Sequence, residues 1–284
     1  MSPHQHRLRR VLFGLVVATT GLALTVACGS VKKVDPNAVT VTATDFAFAV
    51  GGTFTAGTNE ITLTNSGQQT HHGQIIRLDD GKTMVDFAAA LAAGGETLPE
   101  WAHFAGGPGA VDPGQSTTLS ASMEAGSYVL LCFIPDIADG VPHVAKGMAA
   151  PFTVAAEPVN KAEAPASNVK ISGGDYLFEA PAQTKAGKAT IAFKNDGAEA
   201  HEVAIVKLNE GVSIQDYLGA MMAETPAGPP PGVFVGGVQG IPVGATQTAV
   251  LTLEKGGYGL LCFFANAEGV PHFALGMVGQ INIE

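Results

Sequence analysis

The side chains best suited to chemistry in this sequence come in two matched sets. Each set contains a His, a Cys, a second His and a Met that follows the second His by five residues. The members are His71, Cys132, His143 and Met148 in the first set and His201, Cys262, His272 and Met277 in the second. Two imidazoles and a thiolate in a trigonal arrangement, with a weak axial thioether, are the donors of a blue-copper site. The sequence therefore predicts copper binding, with one ion for each set.

The chain around these residues is an internal repeat. The segments that end each set read GVPHVAKGM at 140–148 and GVPHFALGM at 269–277. Further pairs lie 130 residues apart: Asp45 and Asp175, Asn65 and Asn195, His71 and His201, Asp86 and Asp216, Gly106 and Gly236, and Cys132 and Cys262. The offset becomes 129 at the second His and the Met. A period this long indicates two tandem domains rather than a solenoid.

The limits of the domains follow from composition. Residues 156–167 are polar, rich in Pro and Ala and without periodicity, which is typical of a linker. The first domain is predicted over residues 38–155 and the second over residues 168–284.

The elements that must position the two sets are mostly strands. Runs such as AVTVTATDFAF and NVKISGGDYLF alternate or cluster β-branched and apolar residues between Gly and Pro. One amphipathic segment interrupts each repeat, at Met84–Ala93 and Ile214–Met222, and predicts a short helix. The pattern predicts an all-β protein with an antiparallel sandwich in each repeat.

Both repeats resemble the cupredoxin (type 1 blue copper) family over nearly their whole length. FKNDGAEAHEV at 193–203 is similar to the family's segment with the first His ligand, and GYGLLC followed by PHFALGM is similar to its ligand loop. The resemblance implies a Greek-key β-sandwich, the two ligand sets above and one-electron transfer. The spacing departs from the family, because ten residues separate Cys132 from His143 and nine separate Cys262 from His272. Turn residues before each second His allow this loop to fold out and return, and an altered or empty site is the alternative.

Other roles for these residues stay open from the sequence alone. Cys132 and Cys262 are also compatible with a disulfide between the domains, or with two buried structural thiols. His72 and His103 have no equivalent His in the other repeat and are both expected to be peripheral, with His72 as an alternative ligand beside His71.

The N-terminal residues predict export. Residues 1–27 combine a basic start, at Arg7, Arg9 and Arg10, with an apolar run that is short for a membrane span. The run ends in LTVAC, which resembles the lipobox of bacterial lipoproteins and implies lipidation of Cys28, a tether over residues 28–37 and anchoring to the cell membrane on its extracytoplasmic side. A plain cleaved signal, an uncleaved anchor and a twin-arginine signal are the alternatives.

Charge and motif content narrow the class of function. The formal net charge of −10 argues against a nucleic-acid partner. The cysteines have no flanking His, and the only His-x-His pair of the chain, His4-Gln5-His6, lies in the predicted signal peptide. We therefore expect an electron carrier or copper-binding protein rather than an oxidase or reductase. Its redox partner protein is not identified by the sequence. The alternatives are a non-redox copper delivery protein and a metal-free interaction module.

Overall fold

The structure, a computed structural model, describes residues 34–93, 98–223 and 228–284. The predicted signal peptide and the lipidation site Cys28 lie outside the described residues. Over the described ranges no helix has the length and apolar character needed to span a membrane. The predicted fold is confirmed: two tandem Greek-key β-sandwich domains, each with a short helical insertion.

The first domain packs two layers of strands. One layer has the order β2-β1-β3-β6 and the other has the order β8-β7-β4-β5. The strands are β1 (Asn37–Thr44), β2 (Ala47–Gly51), β3 (Phe54–Asn65), β4 (Gln74–Leu78), β5 (Ala102–Phe104), β6 (Ser116–Met123), β7 (Gly126–Leu131) and β8 (Ala149–Asn160). β8 also pairs with the start of β3, and it extends into the segment predicted as a linker.

The second domain repeats this arrangement. One layer has the order β10-β9-β12-β15 and the other has the order β11-β17-β16-β13-β14. The strands are β9 (Val169–Gly174), β10 (Leu177–Glu179), β11 (Gln183–Thr184), β12 (Gly187–Asn195), β13 (His201–Leu208), β14 (Gly232–Ile241), β15 (Thr246–Leu253), β16 (Gly256–Leu261) and β17 (Val278–Ile283).

Alternation of apolar and polar residues explains the core. In β1, Val39 and Val41 are buried while the intervening Thr40 is exposed. They pack in one cluster with residues of the facing layer such as Ile75 and Leu130. Each such side chain contributes roughly 1.5–3 kcal/mol by leaving water.

The predicted helices are confirmed as α1 (Met84–Ala92) and α2 (Ile214–Met221). Each begins with a capping box, Thr83 with Asp86 in α1 and Ser213 with Asp216 in α2. Phe87 and its equivalent Tyr217 are buried against the outer face of a sheet. The helices therefore cover the strands that lead into the cysteines.

The two domains share a continuous sheet, because β6 pairs with β15 antiparallel. Leu119 opposes Ala249, its own equivalent 130 residues later. Gln239 N donates to Gly107 O at 2.9 Å and Gly109 N donates to Gly237 O at 3.1 Å, two hydrogen bonds that repeat symmetry interchanges. The contact is therefore pseudo-two-fold.

Candidate metal centres

The first predicted ligand set comes together at one end of its sandwich. Cys132 Sγ lies 4.0 Å from His71 Nδ1 and 3.5 Å from His143 Nδ1, and the two Nδ1 atoms are 3.2 Å apart. All three side chains are fully buried. Met148 is also fully buried, in the same core cluster as Cys132, and its backbone N donates to His143 O at 3.0 Å.

The second set has the same geometry. Cys262 Sγ lies 3.9 Å from His201 Nδ1 and 3.4 Å from His272 Nδ1, with 3.1 Å between the Nδ1 atoms. Met277 is fully buried, and its backbone N donates to His272 O at 2.9 Å. The structure thus brings together the His, Cys and His of both sets and buries the Met beside them.

The long loop after each Cys folds out and returns, as its turn residues allow. In the first domain His143 N donates to Ile134 O at 2.9 Å, and Asp136 N donates to Val141 O at 2.9 Å. Val144 N then donates to Cys132 O at 2.8 Å, which returns the second His to the Cys. The extra residues form a small closed hairpin outside the site, so the spacing does not prevent convergence.

A one-turn 3-10 helix then positions the Met relative to the second His. It spans His143–Lys146 in the first domain and His272–Leu275 in the second, and each ends at a glycine with positive φ, 102° at Gly147 and 114° at Gly276. Left-handed backbone favours glycine, so this residue allows the chain to reverse directly into the Met.

Carboxylates and an amide contact the outer ring nitrogen of each histidine, which is the Nε2 atom that faces away from the Cys Sγ. His71 Nε2 donates to Asp45 Oδ1 at 2.9 Å and His201 Nε2 donates to Asp175 Oδ1 at 2.8 Å. This hydrogen bond lowers the pKa of Asp175. An acceptor at Nε2 places the proton there, so that Nδ1 carries the free lone pair.

The second histidine is held differently in the two domains. His272 Nε2 lies 3.0 Å from Glu199 Oε2, whereas His143 Nε2 lies 3.4 Å from Gln69 Oε1. Gln69 and Glu199 are equivalent, 130 residues apart.

The residue after the first His of each set accepts a hydrogen bond from the backbone next to the cysteine. Phe133 N donates to His72 Nε2 at 2.9 Å, and Phe263 N donates to Glu202 Oε1 at 2.9 Å. Burial lowers the pKa of His72 to about 3 and raises the pKa of Glu202 to about 7. His72 therefore accepts a backbone hydrogen bond and is not one of the clustered donors, while the predicted peripheral His103 pairs with Asp79 at the surface.

The donors fit copper, one ion for each domain. Burial raises the pKa of the Cys132 thiol to about 11 and also raises that of Cys262. A coordinated metal ion deprotonates such a thiol outright. Thiolate and thioether suit Cu(I) and imidazole suits both oxidation states. Within the described residues the cysteines are free thiols, so the disulfide alternative is wrong.

Sequence reasoning missed the outer acceptors. Asp45 and Asp175 stood out only as a matched pair, and Gln69 and Glu199 were not singled out. The signal available in the sequence was the presence of an aspartate at the same position of both repeats, Asp45 and Asp175.

Two Greek-key β-sandwiches, each with a buried His–Cys–His cluster and a buried Met, define a two-domain, cupredoxin-like copper-binding protein. No protein-family model matches the sequence, and no curated protein matches it.

Solved structures match at low identity. An auracyanin from Roseiflexus castenholzii is 23% identical, over 40% of this chain and 94% of its own, with a TM-score of 0.29. A copper nitrite reductase from Nitrosomonas europaea is 15% identical, over 87% of this chain and 93% of its own, with a TM-score of 0.24. A laccase from Botrytis aclada is 14% identical, over 87% of this chain and 52% of its own, with a TM-score of 0.26.

These matches correct one expectation. The sequence led us to expect an electron carrier or copper-binding protein rather than an enzyme. The exclusion of an enzyme is the part that is wrong, because the matches that extend over 87% of the chain include a nitrite reductase and a laccase, which are enzymes.

Proposed function

We propose that this protein transfers single electrons through type 1 copper sites, one in each domain. The observation that carries the proposal is the convergence of two buried imidazole Nδ1 atoms and a buried Sγ within 4.0 Å, in both domains. When bound, copper supplies a one-electron couple between Cu(I) and Cu(II).

The chain's own residues keep the site rigid. Asp45 and Asp175 fix the tautomer and orientation of the first histidines. His72 and Glu202 accept hydrogen bonds from Phe133 N and Phe263 N and so hold the backbone next to each Cys in place. Full burial excludes water from the donors. A site that cannot rearrange suits both oxidation states, which favours fast exchange of an electron.

The test is a copper titration of the full chain, purified without metal. We expect two equivalents of Cu(II) to give an intense visible thiolate-to-copper band that dithionite removes and air or ferricyanide restores. Cys132→Ser and Cys262→Ser should each remove one site's share of the band, and Cys28→Ser is the matched control that leaves it unchanged. Absence of the band from the wild-type protein contradicts the proposal. Tight binding without reversible cycling would instead support copper delivery.

We further propose that the protein is exported and anchored by lipid at Cys28. Support comes from the basic start, the apolar run and the cysteine at its end. Cell fractionation should place the wild-type protein with membranes and Cys28→Ser in the soluble fraction or uncleaved. Unchanged membrane association and size of the Cys28→Ser protein would contradict lipidation.

A further inference from the structure

The two copper sites have the same donors but different surroundings. We infer that the site of the second domain has the lower reduction potential, so that an electron inside the molecule runs from the second domain to the first. This inference rests on the proposed electron-transfer function and adds a direction to it.

The main difference lies at the outer nitrogen of the second histidine. In the second domain a carboxylate, Glu199, stands 3.0 Å from His272 Nε2. In the first domain the neutral amide of Gln69 stands 3.4 Å from His143 Nε2. A carboxylate makes the ligating imidazole more basic, and its negative charge stabilises the ion of higher charge. Both effects favour the oxidised state in the second domain.

The residue on the cysteine side of the site also differs. Glu202 is buried and accepts from Phe263 N, beside Cys262, where the first domain has the imidazole of His72. Glu202 also contacts Gln239, whose backbone N donates to the first domain. A carboxyl group thus replaces a neutral ring on the cysteine side of the site.

The net charges of the two ligand loops balance. The ligand loop of the first domain carries Asp136, Asp139 and Lys146, which form a salt-bridged cluster. The equivalent residues of the second domain are Asn266, Glu268 and Leu275. Each loop therefore carries one net negative charge. Asp45 and Asp175 are matched as well.

A continuous series of contacts joins the sites. Val111 exchanges two backbone hydrogen bonds with His71, at 3.1 and 2.9 Å. The next residue, Asp112, donates its backbone N to Phe234 O at 3.0 Å, across the domain boundary. The ring of Phe234 contacts Phe263, with 6.0 Å between centroids, and Phe263 follows Cys262. In the transfer the reduced second site loses one electron and the oxidised first site gains it, and no bond or proton changes place.

The test measures each site's potential in the full chain. Cys132→Ser leaves the second site and Cys262→Ser leaves the first, so spectroelectrochemistry of the visible band reports one site at a time. We expect the ratio of Cu(II) to Cu(I) affinity to be higher at the second site by about tenfold or more, which is about 59 mV for a one-electron couple. Chelator competition for Cu(I) provides an independent readout.

Reciprocal exchange at one repeat position is the decisive control. Glu199→Gln should raise the potential of the second site, and Gln69→Glu should lower that of the first, while thermal unfolding stays cooperative in both. If Glu199→Gln fails to fold, the Gln69→Glu protein still tests the idea in the other domain. Equal potentials, a higher potential at the second site, or exchanges that leave the potentials unchanged would overturn the inference. If neither single-site protein has a visible band, the proposed function itself fails instead.

Discussion

At the scale of single residues, the sites depend on groups that hydrogen-bond to the donor side chains. His71 and His201 each have one free lone pair because an aspartate holds the other nitrogen. Each aspartate also accepts backbone hydrogen bonds from the turn before its histidine, from Gln68 N in one case and from Ala198 N in the other. The aspartate thereby ties the turn and the imidazole into one unit.

Removing this charge should weaken the site without unfolding the domain. For Asp175→Asn we expect an about 10- to 100-fold loss of copper affinity, the usual effect of losing such a partner. Isothermal titration or chelator competition measures it. Asp196→Asn, an exposed residue paired with Lys194 two positions away, is the control expected to bind normally. Equal losses in both variants would contradict a specific role for Asp175.

The half-buried imidazole of His72 predicts an acid-sensitive fold. Its pKa is about 3 in the folded protein against 6.5 in the unfolded chain, so the unfolded state binds more protons between these values. The free energy of unfolding of the metal-free protein should therefore fall as the pH decreases through this window, by about 2 kcal/mol between about pH 7 and about pH 5 from this residue.

Urea unfolding at the two pH values checks this, with His72→Gln as the comparison. Glutamine can still accept from Phe133 N but does not titrate, so its dependence on pH should be shallower. Burial also lowers the pKa of His71, His143 and His272, so a residual slope of the same sign is expected. A His72→Gln slope equal to that of the wild-type protein would contradict the assignment.

At the scale of elements, the one-turn helix between second His and Met is the critical piece. Its length of four residues and its glycine end fix the separation of two donors that are five positions apart. The hairpin loop before it can vary in length, since its closing bonds return the chain to the same point, and it does vary by one residue between the repeats.

Gly147→Ala should therefore damage the first site. A Cβ there has open space, so its cost comes from the backbone at φ 102°, about 1–2 kcal/mol. We expect lower thermal stability together with weaker copper binding in the first domain alone. Gly219→Ala, in open space on α2 and without positive φ, is the control and should be neutral or slightly stabilising. Normal copper affinity in Gly147→Ala would show that the turn is dispensable.

Much of this was predictable from the sequence because it is periodic or repeated. Alternation predicted strands such as β1, and the spacing of apolar residues predicted α1 and α2. The order His, Cys, His and Met predicted the clusters, since strand ends at one edge of a sandwich lie together. The partner of His71 was not predictable, because Asp45 lies 26 residues earlier and reaches it only through the fold. The pairing of β6 with β15 was likewise not predictable, because the local sequence of a strand does not indicate its partner in the other domain.

At the scale of the whole molecule, the domains are joined through backbone rather than through a loose contact. Gly109 lies so close to the second domain that an added Cβ would stand 2.5 Å from Gly237 N. The interface thus requires a residue without a side chain at this point.

Gly109→Ala should weaken the coupling between the unfolding of the two domains. Steric overlap of this kind costs about 1–3 kcal/mol, and the cost falls on the interface alone. We expect the single unfolding transition of the wild-type protein to split into two in urea, with Gly219→Ala retaining one. Calorimetry of the same variants provides a second readout. A single undisturbed transition in Gly109→Ala would contradict close domain coupling.

The pairing of Leu119 with its own equivalent, Ala249, has a consequence for how the molecule can evolve. Two identical subunits meeting in this way would form a closed isologous dimer, in which every substitution appears twice. Joining the halves in one polypeptide removes that constraint, because each copy can change by itself while the shared interface keeps its symmetry. The exchange of Gln69 for Glu199 is a change that an obligate pair of identical subunits could not have made.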